Sequence, residues 1–298
     1  MKRYFLFLVA IFFLGSAFLL AQPMGNSAEL EWSPASAGPV TTWTAPLCDR
    51  AAQVVQPFFF YNRTRGTFNS ERHYDSLPGG DKKYQFQQQL FMQYGLTDRL
   101  EIDGQAVYQE NYARQGGKSV HSEGFGDSYI FLRYCALEES NTLPHLTGIF
   151  QLKLPTGKYQ KADADKLGTD LMGATSGGGS FDHGYGIMFT KKVKPFIFHA
   201  DAIYNFPLER RVDGVETRYG EYLNYDFGLE LMIPKGFNLM FEFNGFLQGD
   251  KNIRSLTLAP GIGWSNDKIQ TLLVYQRTLA GTNTDANDSM VFTLVYTF

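Results

Sequence analysis

After residue 21 the sequence has no apolar run of about 18 residues, the length a helix needs to cross a bilayer. No later spanning helix is expected. Cysteine and histidine are scarce, two and five in 298 residues, and their spacing matches no Cys/His metal site. Gly-x-Ser-x-Gly is absent, so the strand-to-helix nucleophile elbow is excluded. Gly177-Gly178-Gly179 reads as a loop, with no helix after it to cradle a phosphate. Only 19% of residues are charged and the net charge is −3, which argues against a nucleic-acid-binding surface. No catalytic residue, metal or cofactor is expected.

Aromatic residues and glycine are plentiful. Phe (26), Tyr (17) and Gly (30) suit an all-β chain with aromatic girdles and many turns. The first residues read as an address. Met1-Lys2-Arg3 is basic, Tyr4 to Leu20 is apolar, and Ala21-Gln22 is a plausible cleavage point. Residues 1–21 are therefore expected to be a cleaved signal peptide, with a retained anchor as the alternative. Residues 22–52 carry Pro34, Pro39 and Pro46, which argue against a strand or long helix. They also hold Trp32 and Trp43, two of the three tryptophans, so the segment either packs into a barrel mouth as a plug or leads in as a disordered periplasmic tail.

Residues 53–298 read as twelve strands: 53–65, 83–96, 100–112, 126–137, 144–154, 180–191, 194–206, 221–233, 237–248, 254–265, 269–278 and 289–298. Most run 10 to 14 residues, enough for a tilted strand to cross a bilayer. The links alternate. Those at 97–99, 138–143, 192–193, 234–236 and 266–268 are short, while 66–82, 113–125, 156–179, 207–220 and 280–288 are longer and polar; only 249–253 breaks the pattern. Short turns on one side and long loops on the other mark an outer-membrane barrel, with both chain ends on the periplasmic side. The expected fold is an all-β, transmembrane, antiparallel up-and-down β-barrel of twelve strands.

Alternation assigns the faces. In 289–298, Met290, Phe292, Leu294, Tyr296 and Phe298 oppose Val291, Thr293, Val295 and Thr297. The final strand, with its terminal Phe298, resembles the closing strand of bacterial outer-membrane barrels, which implies a signal read by the barrel-insertion machinery. The lumen-lining candidates are Glu101, Asp103, Arg133, Lys153, His199, Asp201, Asp226, Glu230 and Glu242. Enclosed charges must be paired or hydrated. They form either an ion-pair network that holds the wall or a constriction that sorts solutes. Phe91, Tyr129, Phe131, Met188, Met240 and Phe246 also point inward, as space-filling or as a greasy path. Cys48 and Cys135 both fall at the periplasmic end, and an exported compartment permits a disulfide between them.

Two stretches carry a family likeness: Gly126-Asp127-Ser128-Tyr129-Ile130-Phe131-Leu132-Arg133-Tyr134, and Leu152-Lys153-Leu154-Pro155-Thr156-Gly157. The latter is followed by Leu167-Gly168-Thr169-Asp170 and Phe181-Asp182-His183-Gly184-Tyr185-Gly186, with Leu258-Ala259-Pro260-Gly261 later. The order resembles the outer-membrane family labelled as transporters of the MetA pathway of phenol degradation, over about residues 53–298. The resemblance implies the outer membrane of a Gram-negative-type bacterium, contact with outer-membrane lipid, and passive passage of small aromatic or hydrophobic solutes through the barrel. The alternatives are a closed structural or binding barrel with recognition loops, and an outer-membrane hydrolase. His121-Ser122 and Asp182-His183 have the residue types of outer-membrane phospholipases and proteases, but the surrounding motifs are absent.

Overall fold

The computed structural model describes residues 32–36, 38–157, 179–208, 210–212, 215–217, 220–266 and 268–298. The signal-peptide expectation for residues 1–21 and the Leu167-Gly168-Thr169-Asp170 motif lie outside them. The strands are β1 (Gln53–Phe68), β2 (Tyr74–Ser76), β3 (Lys82–Thr97), β4 (Leu100–Gln115), β5 (Lys118–Phe125), β6 (Ser128–Leu137), β7 (His145–Leu154) and β8 (Asp182–Val193). They continue as β9 (Phe196–Pro207), β10 (Arg210–Val212), β11 (Val215–Thr217), β12 (Tyr222–Met232), β13 (Phe237–Gln248), β14 (Ile253–Ser265), β15 (Ile269–Thr282) and β16 (Thr284–Thr297).

Twelve of these strands pair antiparallel in the order β1-β3-β4-β6-β7-β8-β9-β12-β13-β14-β15-β16, and β16 pairs β1 to close the ring. The seam runs from Val54 opposite Thr297 to Phe68 opposite Thr284. Closure leaves the twelve-stranded wall without a free edge, the condition for strands to span lipid. Phe59 stacks on Phe292 across the seam at 6.3 Å.

The two faces differ as alternation requires. Phe196, Phe227, Phe241, Phe243, Leu273 and Phe292 are exposed on the outside, while Ile197, Met240, Val274 and Val291 are buried inside. A barrel whose outer face is this apolar is placed in lipid, in the bacterial outer membrane. Its core lies inside the lumen: Phe91, Phe131, Ile149, Met188, Met240 and Val291 cluster there around Ala45 and Trp43.

The rim opposite the chain ends departs from the expected long loops. The stretch expected as a loop at 113–125 is a hairpin, with β4 running to Gln115, Gly116 and Gly117 turning at positive φ, and β5 returning along β4. The stretch expected as a loop at 280–288 is strand on both sides of Asn283 (φ 50). The reason is physical. Apolar alternation is imposed by lipid and ends where lipid ends, whereas backbone pairing continues into water with polar side chains on both faces.

The lumen and its N-terminal segment

Residues 32–36 and 38–52 form no helix or strand. Prolines 34, 39 and 46 remove donors and preclude a ladder, so the remaining backbone N–H groups must find partners elsewhere. The inner wall provides them. Ser33 is held by Lys192 Nζ (2.8 Å) and the Ala35 carbonyl by Ser265 Oγ (2.7 Å), both near the short-turn end. Ser36 Oγ donates to both Glu230 oxygens (2.9 and 2.7 Å).

The segment then rises to mid-barrel. Three consecutive N–H groups, of Val40, Thr41 and Thr42, donate to the Glu242 carboxylate at 3.0, 2.9 and 2.8 Å. Gln276 Nε2 donates to Thr41 Oγ1 (2.8 Å) and Trp43 N–H to Asp201 Oδ2 (2.8 Å). The chain descends through Ala45, whose N–H reaches Thr190 Oγ1 (2.9 Å) and whose carbonyl accepts from Thr147 Oγ1 (2.6 Å). Cys48 N–H donates to Glu101, and Ala51 N–H to the Gly95 carbonyl (2.8 Å), before β1 begins. The path is an arch with both feet at the short-turn end and its apex at residues 40–43.

One arginine complements these acids. Arg133, 1% exposed, pairs with Glu101, lies 3.7 Å from Asp103, and donates to the carbonyls of Thr44 and Pro46. Its guanidinium stands 5.6 Å from the Trp43 ring, which packs on Phe131 (4.9 Å) and Phe91 (5.6 Å). Wall carboxylates thus take most of the segment's donors around the apex, and the wall arginine takes the carbonyls of Thr44 and Pro46. Charge-assisted bonds of this kind are about twice as strong as neutral ones. His199 adds a brace, with Nε2 2.9 Å from Glu230 and Nδ1 3.0 Å from Thr190.

The residues singled out from the sequence therefore fall in separate places. Glu101, Asp103, Arg133, His199, Asp201, Glu230 and Glu242 surround the segment. Lys153 sits toward the other rim, paired with Asp182, 3.7 Å from Asp127 and 3.2 Å from Ser180 Oγ, where it ties β7 to the start of β8. Asp226 lines a separate cavity. Of the inward apolar residues, Met188 and Met240 fill space against the segment, Phe91, Phe131 and Tyr129 pack in the same cluster and also line open volume, and Phe246 lines the separate cavity.

The disulfide considered between Cys48 and Cys135 is absent; both are free thiols. Cys48 is drawn to Glu101 on β4 through its own N–H, while Cys135 N–H donates to the Arg99 carbonyl (3.0 Å). Burial and the neighbouring Glu101 push the Cys48 thiol up, so it stays protonated. Phe298 N–H donates to the Gln53 carbonyl (2.9 Å), placing the last residue beside the start of β1.

Sequence reasoning passed over Thr147, Thr190, Ser265 and Gln276, which hold the segment with neutral groups. It gives no role to Gly95, nor to Gly228, which alternation places on the inner face. A Cβ at Gly228 would stand 2.7 Å from Pro39 Cγ, and one at Gly95 would run into the Asp49 carbonyl. Glycine at an inward position of a strand was the available signal, because it marks close approach of another backbone.

Glu242→Leu tests the apex. The substitution removes both acceptor oxygens from three N–H groups, at a cost of about 1–3 kcal/mol for each buried donor left unsatisfied. Amide hydrogen exchange at Thr41 and Thr42 is expected to quicken by roughly tenfold or more. Unchanged exchange would mean that Glu242 does not hold them.

Beside the segment lies a cavity of about 820 Å³, lined across from it by Phe58, Asn62, Gln87, Gln89 and Gln105. Amides hydrogen-bond along this wall, Asn62 to Gln85 at 2.9 Å and Gln85 to Asn111 at 2.8 Å.

A protein family described as "Putative MetA-pathway of phenol degradation" has a sequence profile that matches residues 96–294. Among solved structures, an outer-membrane channel from Pseudomonas putida F1 aligns over 90% of this chain and 100% of its own, with TM-score 0.67 and 16% identity. The β domain of the Bordetella autotransporter BrkA (TM-score 0.49, 11% identity) covers 83% of this chain and 100% of its own. The NanC porin (TM-score 0.48, 9% identity) covers 81% and 98%. No curated protein matches the chain.

Proposed function

The chain belongs to the phenol-degradation family whose profile covers residues 96–294, and from that premise we propose that it is a passive outer-membrane channel for small aromatic or hydrophobic solutes. The observation that carries this reading is the cavity of about 820 Å³ inside the lumen, walled by aromatic rings and amide side chains rather than filled by core packing. Amides both donate and accept hydrogen bonds, and the rings Phe58, Phe60 and Tyr129 offer apolar faces. A solute that is part ring and part hydroxyl is matched by both.

The N-terminal segment sets the cross-section of the route. It is separate from the wall, which closes on itself through β1 and β16 without it. The dense contacts at residues 36–48 also favour a second reading, a structural barrel kept shut by its own plug, with the outer rim as its working surface.

Single-channel recording separates the two. The refolded mature protein in planar bilayers is expected to give stepwise currents that shorten when resorcinol is added. Silence from protein that is folded by its heat-modifiable gel mobility would favour the shut barrel.

A further inference from the structure

Above the apex of the segment lies a second cavity, of about 290 Å³. Its floor is Thr41 and Trp43, and its sides carry Asp201, Asp226, Asn244 and Phe246. Asp201 and Asp226 are direct partners in the β9–β12 ladder, so their side chains stand together on the inner face. Asp201 is 6% exposed. One of its oxygens accepts the Trp43 N–H, and the other, Oδ1, is buried with no hydrogen-bond partner among the described residues. No lysine or arginine among the described residues lines the cavity. Arg133 and Lys153, the enclosed cations nearest in kind, are committed to Glu101 and Asp182.

A buried carboxylate without a counter-charge is costly, so it either takes up a proton or is completed by a cation. Two carboxylates set beside an indole and a phenyl ring favour a cation that also has apolar surface, since ring faces attract ammonium groups. Among the described residues no three acidic, histidine or cysteine side chains converge closely enough for a metal ion. The volume falls just short of the roughly 300 Å³ at which pockets for drug-sized molecules begin, so the occupant is small.

We propose that this cavity is a binding subsite for a small organic ammonium ion. Asp226, whose side chain is partly exposed, takes the charged head with Asp201 beside it, and Trp43 and Phe246 enclose the apolar part. The inference rests on the lumen being a solute route and names a solute class for it. It also makes the N-terminal segment part of the binding site, since Trp43 and Thr41 form its floor.

The test is equilibrium binding to the full mature protein in detergent at low salt, with 2-phenylethylammonium and the equally shaped neutral 2-phenylethanol as probes. Binding requires no current, so a silent channel would count against the transport reading and leave this result intact. The ammonium is expected to bind saturably, and more tightly than the alcohol. Asp226→Asn, at a residue that does not hold the segment, should weaken it by about tenfold or more. Asn244→Asp adds a carboxylate beside Asp226 and should tighten it. Equal binding of the two probes, an ammonium affinity indifferent to both substitutions, or no saturable binding would overturn the proposal. Displacement by potassium as readily as by the amine would overturn the organic class. If Asp226→Asn fails to fold, Asn244→Asp decides alone.

Discussion

A barrel lacking residues 32–48 conducts roughly three-fold or more current than the full mature chain. The expectation follows from dimensions. Twelve strands spaced about 4.8 Å apart and tilted about 40° enclose a cylinder about 24 Å across between backbones. Inward side chains take about 5 Å from each side, half the spacing of packed sheets, which leaves about 14 Å. One chain with its side chains is about 10 Å thick and occupies most of that width. The deletion leaves the wall intact, because no wall strand is paired with residues 32–48. It also strips partners from Glu230, Glu242 and Asp201, but an emptied lumen admits water, and hydrated carboxylates are tolerated. Planar-bilayer recording of the two proteins side by side checks this. Equal conductance would show that the segment does not define the passage.

Arg133→Met is expected to destabilise the barrel by about 3–5 kcal/mol. The substitution removes the guanidinium from between Glu101 and Asp103, which are 0% and 2% exposed and cannot reach bulk water where they stand. It also frees the carbonyls of Thr44 and Pro46. The loss comes mainly from the abandoned acids, not from a bond worth that much. Combining Arg133→Met with Glu101→Gln and Asp103→Asn is therefore expected to recover a large part of the stability. Arg133→Lys should fall between, since an ammonium cannot span two carboxylates and two carbonyls as a planar fork does. Urea unfolding, read by the heat-modifiable gel shift, measures all three. A triple variant as unstable as the single one would remove the electrostatic explanation.

Much of the wall was legible because lipid writes it into the sequence. The bounds of β13, Phe237–Gln248, match the sequence reading to the residue. There Phe237, Leu239, Phe241 and Phe243 meet lipid, while Asn238, Met240 and Glu242 do not. The return strand Lys118–Phe125 reads as loop in the sequence because, outside the membrane, neither of its faces needs to be apolar.

The lumen was legible only in part. An inward-facing carboxylate such as Glu242 can be placed by alternation alone. Its use cannot, because its partners are three backbone N–H groups 200 residues away, and backbone groups leave no mark in a sequence. The same holds for Thr190, whose hydroxyl receives the Ala45 N–H. Pairing Cys48 with Cys135 followed from their shared end of the barrel, but sharing an end does not bring side chains together.

The chain's own N-terminal segment lies in the lumen, so fixing it in place must change what passes. A cysteine pair at Thr41→Cys and Gln276→Cys, with Cys48 and Cys135 replaced by serine, provides the means to fix it. Thr41 Oγ1 and Gln276 Nε2 lie 2.8 Å apart, joining the apex of the segment to β15. A short bis-methanethiosulfonate, which spans the reach of the lost Gln276 side chain, is expected to bridge the pair, the locked protein to pass less current in a planar bilayer than the serine background, and reductant to restore the current. Failure to cross-link in folded protein, or a current unchanged by locking and release, would contradict this arrangement.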